Sequence, residues 1–527
     1  MVKFKPMERK KVGMIFGRIA VVIVLSACTA RTGSLPTQLG ESRSPTTTAT
    51  FNSKPISTPE VSATFSPQAA ITPATSATLP PQPLSTGVIQ PTHLPSVTPG
   101  LPAMGIEMYG INPENGLEPV IKSGAFWVRR NALLWSDVEP QQGQRNWGAL
   151  AGLENEMKNA SSYGLNLILI VRSTPSWAQK IPGVACGAVQ PDKLAAFASF
   201  MHDLVARYSL PPYSVKYWEI GNEPDVAPGL VPPDSVFGCW GDAQDAYYGG
   251  GYYGEMLKVV YPQVKAADTR AQVLIGGLLL DCDPVNPPES PPGSGKLNDC
   301  IASRFLEGIL KNGGGDFFDI VAYHAYDYYA NMVGEYVNGN WHSAWNTTGP
   351  VSIAKARYIR SLLTTYGHPD KSLMNTESAL LCISKDQQCQ SEEFASTKSY
   401  YVAEVYASAL AEALQANLWY SLTGWRDSGL VDDKFQPLPA YDAFRFSASM
   451  LQGAVCVGKI DQFPGVKGYE FSRKQQPFWI LWSQDGADHT IQLSEAPTAV
   501  YDVIGKQVTV SRNLNLTVAP LYIEWNP

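Results

Sequence analysis

From Met104 to about Ala454 the chain repeats one pattern. A short apolar or β-branched run is followed by a polar or Gly-rich loop, and then by a stretch whose apolar residues recur at three- and four-residue steps. Runs of the first kind occupy residues 105–112, 125–131, 166–172, 215–222, 272–280, 318–326, 372–377 and 416–422. The helical spacing is plain after Pro191, where Phe197, Phe200, Leu204 and Tyr208 share a face and the proline sits in the first turn, where its missing N–H is not needed. Eight strand-then-helix units in series predict a (β/α)8 barrel. Functional side chains are then expected at the C-terminal ends of its strands.

Beyond residue 454 the helical spacing stops. Short alternating runs at 468–473, 478–484, 489–493, 499–504, 508–511 and 516–525, separated by polar or Gly turns, predict a small β-sandwich domain over 455–527. At the other end, Lys3, Lys5, Arg9, Lys10 and Lys11 precede an apolar run from Met14 to Ala27 that is too short for a comfortable membrane span. This reads as an export signal over 1–27. It ends in Leu25-Ser26-Ala27-Cys28, which resembles the bacterial lipobox, so Cys28 is expected to carry lipid and to tie the protein to a membrane outside the cytoplasm. Of the 75 residues from Thr29 to Ala103, 38 are Thr, Pro or Ser, and all 13 Trp and 25 Tyr come later. Such a segment buries too little apolar surface to offset its chain entropy. Residues 28–103 are therefore read as a disordered stalk, spanning on the order of 45 Å as a flexible coil, and 104–454 as the barrel.

Composition removes several classes of function. A net charge of −7 gives no basic patch for nucleic acid phosphates. The six histidines, at 93, 202, 324, 342, 368 and 489, form no His-x-x-x-His pair, and there is no Cys-x-x-Cys, so no metal site is expected. Seven cysteines remain if Cys28 is lipidated. In an oxidising compartment Cys382/Cys389, Cys282/Cys300 and Cys186/Cys239 are plausible bridges, leaving Cys456 as a buried thiol. The tract Gly249-Gly250-Gly251-Tyr252-Tyr253-Gly254 fits G-x-G-x-x-G, but no strand precedes it, so a dinucleotide site is rejected.

The candidate chemistry lies in two acids. The fourth strand ends Trp218-Glu219-Ile220-Gly221-Asn222-Glu223-Pro224, and the seventh reads Met374-Asn375-Thr376-Glu377-Ser378. On strict alternation Glu219, Gly221 and Glu223 share a face. Either acid alone is as compatible with a loop cap or an ion pair as with catalysis. Two carboxyl groups from opposite sides of one barrel mouth are what glycoside hydrolysis requires, one to protonate the leaving oxygen and one to attack or to activate water.

These motifs resemble those of the retaining (β/α)8 glycosidases of glycoside hydrolase clan A, in the neighbourhood of families 5 and 39. The resemblance covers about residues 104–450. It implies that Glu223 is the acid/base, that Asn222 contacts a sugar hydroxyl, and that Glu377 is the nucleophile. Val128-Arg129, followed by Trp135, Val138-Glu139-Pro140 and Gly143, is similar to the strand-two segment whose arginine keeps the nucleophile ionised, a role favoured for Arg129 over the alternative of neutralising the interior Glu219. His324-Ala325-Tyr326 is similar to the His-x-Tyr beside the nucleophile, and Trp425 to the clan's sugar-stacking tryptophan. Trp177 and Trp419 also lie near strand ends, and Tyr328, Tyr329, Trp341 and Trp345 crowd the loop after strand six as candidate subsites. Gly221 stands where many members carry Trp, and the loop 225–254 is rich in Gly, Tyr and Pro, which puts the substrate in doubt and not the chemistry. The implied protein is a surface-anchored enzyme acting on an oligo- or polysaccharide and needing no cofactor. A carbohydrate-binding lipoprotein without catalysis, or a transglycosylase on the same residues, are the alternatives.

Overall fold

A computed structural model describes residues 103–287, 300–329, 336–338, 341–383 and 387–526. The expected signal segment, Cys28 and all of the expected stalk except Ala103 lie outside the described residues.

Eight strands form the central sheet: β1 (Met104–Glu107), β2 (Trp127–Leu134), β3 (Asn166–Arg172), β4 (Tyr217–Ile220), β5 (Gln272–Leu278), β6 (Ile320–Tyr329), β7 (Ser372–Cys382) and β8 (Ala416–Trp419). Each pairs in parallel with its sequence neighbours, and β8 pairs in parallel with β1, closing the (β/α)8 barrel. The helices that follow the strands are α1 (Leu117–Ser123), α2 (Ala151–Ser162), α3 (Leu194–Tyr208), α4 (Gly250–Ala267), α5 (Phe305–Lys311), α6 (Val351–Thr365), α7 (Glu392–Ala411) and α8 (Pro439–Leu451). Ser391 caps α7 by accepting from the Phe394 N–H, and Glu392 and Glu393 lie at the positive end of its dipole. This helix is apolar on nearly every side because it packs between the barrel and the C-terminal domain, so it shows no single hydrophobic stripe. After β6, an antiparallel hairpin (Tyr336–Asn338 with Trp341–Ser343) extends the sheet.

The floor of the lumen is an apolar layer of Trp127, Ile168, Leu274, Ile320, Ala322, Met374, Ala416 and Leu418. Gly105 belongs to it for lack of space: a Cβ there would come 2.5 Å from the Leu418 Cγ and 2.8 Å from the Trp127 Cβ. The next inward positions along the same strands carry the charged residues of the mouth.

Past the barrel run β9 (Ala454–Ile460), β10 (Val466–Arg473), β11 (Gln476–Ser483), β12 (His489–Gln492), β13 (Ala499–Tyr501), β14 (Asn513–Leu516) and β15 (Leu521–Glu524). They make a five-stranded antiparallel sheet, β9-β10-β11-β15-β13, and a two-stranded one, β12-β14. Alternation divides β11 cleanly. Phe478, Ile480 and Trp482 join the main core against the barrel, while Leu481 joins Ile491, Val500, Leu514, Leu516 and Ile523 between the two sheets. Three details depart from the sequence reading. β9 was not foreseen, because it is an edge strand whose Val455 and Val457 face solvent and so mask the usual alternation. Residues 508–511 form no strand. The run 516–525 splits into β14 and β15 around Pro520, which has no N–H to give to a ladder.

The three expected disulfides are present. Cys186–Cys239 ties the loop after β3 to the loop after β4, Cys282–Cys300 closes the loop after β5, and Cys382–Cys389 braces the end of β7. All three lie on the C-terminal face of the barrel. Cys456 is unpaired and only half-buried, and burial pushes its thiol up to about 11.

Candidate active site

Two departures from regular strand geometry build the site. The β4 ladder ends at Ile220, and Gly221 and Glu223 then take left-handed backbone, at φ 78° and 52°. Simple alternation does not hold there, so Asn222 is turned toward the same centre as Glu219. The Glu223 N–H donates to the Gly277 carbonyl at 3.0 Å, which holds the turn. On β7 the pairing with β6 slips by one residue: Tyr323 faces Asn375, but His324 faces Glu377. Thr376 is the extra residue, and this bulge swings Glu377 into the lumen above Met374.

Arg129 is the hub. Its Nε and Nη2 grip Glu219 at 2.8 and 2.9 Å, Nη2 also donates to the Asn222 Oδ1 at 2.7 Å, and Nη1 donates to Glu377 and to Glu107, both at 2.5 Å. Arg129 thus pairs with Glu219 and with Glu377 at once. Tyr326 donates its hydroxyl to the other Glu377 oxygen. The His324 Nδ1 lies 2.7 Å from Glu223 and 3.5 Å from Glu377, so this ring belongs first to Glu223. Gly277 leaves room for it, because a Cβ there would fall 2.0 Å from the His324 Nε2. Behind the ring, Lys355 of α6 donates to the carbonyls of His324 and Leu279, both at 2.8 Å.

The electrostatics separate the two acids. Burial, and then the charge of Glu377, drive the Glu223 carboxyl well above the carboxylate range. Burial also raises Glu377, but Arg129 and the Tyr326 hydroxyl pull it back. Burial, with the charges of Arg129 and Lys355, holds His324 well below its usual range, so the ring is neutral. One carboxylate oxygen from each of Glu223 and Glu377 and a nitrogen of His324 lie within 4.8 Å of one another. A divalent cation accepts such donors, but Arg129 already supplies the positive charge at Glu377.

Of the tryptophans singled out, Trp425 is exposed at the mouth, in edge-to-face contact with Tyr326 and Tyr420 at centroid distances of 6.3 and 6.4 Å. Trp177 stands apart: its indole N–H donates to the Glu139 carbonyl at 3.0 Å and its ring meets the edge of Trp135. Trp419, Tyr329, Trp341 and Trp345 are buried in the core. Glu107 and Lys355 were not among the residues picked from sequence. Glu107 carried a signal, an acid ending the apolar run Met-Gly-Ile-Glu in phase with Gly105. Lys355 carried none, since a helical lysine normally faces solvent.

No known family profile and no curated protein matches the chain. Solved structures do. A family 39 glycoside hydrolase from the gut symbiont Bacteroides cellulosilyticus is 19% identical with a TM-score of 0.58, and the alignment covers 81% of each chain. A conserved exported protein from Bacteroides fragilis is 13% identical with a TM-score of 0.56, over 81% of this chain and 97% of that one. A family 30 endoxylanase from Clostridium papyrosolvens is 11% identical with a TM-score of 0.52, over 82% and 98%. At these identities the likeness is one of fold.

Proposed function

We propose that this protein is an exported, surface-anchored retaining β-glycosidase of the clan A type, hydrolysing O-glycosidic bonds of an oligo- or polysaccharide by double displacement. The observation that carries the reading is the buried pair Glu223 and Glu377, with carboxylate oxygens within 4.8 Å of each other; burial raises both carboxyls, and Arg129 and the Tyr326 hydroxyl counter the rise at Glu377. Retaining enzymes hold their carboxyls about 5–5.5 Å apart, whereas inverting ones leave roughly 6.5–9.5 Å for a water. Glu377, gripped by Arg129 and Tyr326, attacks the anomeric carbon, while Glu223, kept protonated by burial, gives its proton to the leaving oxygen. Once Glu377 is esterified its charge is gone, and Glu223 becomes the base that activates water. In this reading Asn222 and the exposed ring of Trp425 hold the sugar. The glycosidases among the structural neighbours add support from the fold.

Glu223→Gln is expected to lower turnover on unactivated glycans by roughly 10²- to 10⁴-fold, with a smaller loss on activated aryl glycosides. Wild-type activity on unactivated glycan would overturn the assignment. NMR of the first product from a β-glycoside is expected to show the β anomer, and initial release of the α anomer would exclude a nucleophilic Glu377.

The lipobox-like Leu25–Cys28 and the three disulfides support export and anchoring, with residues 28–103 as the stalk. Cys28→Ser is expected to move the protein from the membrane to the soluble fraction, because stable anchoring takes more than one alkyl chain.

A further inference from the structure

Among the described residues, Arg129 is the single cation bonded into a set of three carboxyl groups, Glu107, Glu219 and Glu377, all buried. Fully ionised, the set would hold surplus negative charge away from water, an arrangement that protonation relieves. The hydrogen bonds say which carboxyl takes the proton. Glu219 accepts at both oxygens, from Arg129 and from the Gly277 N–H at 2.7 Å. Glu377 also accepts at both, from Arg129 and from Tyr326. Glu107 accepts at Oε2 only, and among the described residues no donor reaches its Oε1.

We propose that Glu107 is a charge-compensating carboxyl, protonated while Glu377 is a free carboxylate and ionised while Glu377 carries the glycosyl group. It is a positioning residue that acts on the reaction through Arg129, and the idea rests on the reading of Glu377 as nucleophile. In the first half-reaction a Glu377 oxygen bonds the anomeric carbon, the bond to the leaving oxygen breaks, and that oxygen takes the Glu223 proton. Glu377 has then lost its charge. The Glu107 O–H ionises, its proton passes to solvent at the mouth, and Arg129 again faces two carboxylates. In the second half-reaction water attacks, Glu223 takes its proton, Glu377 leaves as a carboxylate, and Glu107 regains a proton from solvent. Protons balance over the cycle.

The groups facing Glu107 are Arg129, Glu219, Glu377 and, just past β8, Tyr420, whose hydroxyl lies 3.3 Å from that of Tyr109. Burial raises the Glu107 carboxyl most, the nearby carboxylates add to it against Arg129, and together they push it up to about 8.

Infrared difference spectroscopy of the protonated-carboxyl band tests the assignment without a substrate. Glu223→Gln removes the proton of the neighbouring acid at the site and provides the background, and the carboxyls of Asp225, Asp327 and Glu404 elsewhere in the fold are told apart because Glu107→Gln leaves their bands in place. In that background the band that Glu107→Gln abolishes is expected to titrate with a midpoint near 8. Adding Glu377→Gln, which neutralises Glu377 as esterification does, is expected to lower the midpoint by at least one pH unit. No band sensitive to Glu107→Gln, or a midpoint unmoved by Glu377→Gln, overturns the proposal. The product-anomer measurement decides the nucleophile reading separately: an α product would strike Glu377 as nucleophile while the infrared result stood.

Discussion

The lumen holds two successive layers built on the same strands. The lower one is oil: Trp127, Ile168, Ala322, Met374 and Leu418 interlock with no polar atom but the indole N–H. Higher in the lumen stand Arg129 and His324, each about 7 Å along its strand from Trp127 and Ala322, together with Glu377, set above Met374 by the bulge, and Glu219 of β4. Both layers are buried, with opposite energetic consequences. Each large lower side chain gains about 1.5–3 kcal/mol from leaving water, whereas the upper layer is desolvated charge around a neutral His324 and survives because every member is held by another. The lower layer is a foundation whose favourable burial offsets the unfavourable burial above it.

The contrast is broken most severely at its hub. Arg129→Met leaves Glu107, Glu219 and Glu377 facing one another without a cation, and is expected to cost about 3–5 kcal/mol of stability together with glycosidase activity. Arg129→Lys should restore much of the stability but little of the activity, since an ammonium cannot reproduce the bidentate grip on Glu219. Urea unfolding alongside kcat/KM on an aryl β-glycoside checks both, and a fully stable Arg129→Met would show that the upper layer needs no cation.

The converse change lies directly beneath. Met374→Ala is expected to cost about 2–5 kcal/mol while changing kcat by only a few-fold, because no member of the upper layer bonds to Met374. A large loss of kcat at intact stability would mean that the floor also positions the acids.

A pH series distinguishes the layers without mutation. Glu107 is pushed up to about 8, Asp327 to about 7 and Asp225 to about 6, burial being the largest cause in each case. The folded protein therefore keeps protons that the unfolded chain releases near pH 4. The contribution of these three groups to stability is expected to be full below that pH and to be lost as pH climbs through 5 to 8, and it outweighs the opposite trend of Asp268 and Glu412, whose carboxyls stand below the usual range. Melting temperatures that rise over this range would refute the buried protons. For activity, the basic limb of the kcat/KM profile is expected to follow Glu223 and to disappear in Glu223→Gln on an activated aryl glycoside.

The smallest effect belongs to the rim. Trp425→Ala is expected to raise KM several-fold with kcat nearly unchanged, as loss of one stacking face worth about 0.5–1.5 kcal/mol implies. An unchanged KM would leave Trp425 out of the sugar site.

The eight-unit repeat, the acids ending strands four and seven, and the pairing of close cysteines were all legible in the sequence. Each depends on local pattern: the period of burial along one segment, or a residue type at a segment's end. What the sequence could not supply is how segments meet. That Asn222 turns inward depends on left-handed backbone at Gly221 and Glu223, held by a hydrogen bond that the Glu223 N–H donates to β5. That Glu377 and not Thr376 faces the lumen depends on a one-residue slip between β6 and β7, which exists only because two strands 50 residues apart must pair while the barrel closes. The assignment of His324 to Glu223, and the sharing of Arg129 among three carboxyls, are likewise properties of side chains brought together from five strands. Alternation is a property of one chain segment, and register is a property of two; sequence therefore determined which residues the barrel would bury, and only tertiary structure decided which of them would touch.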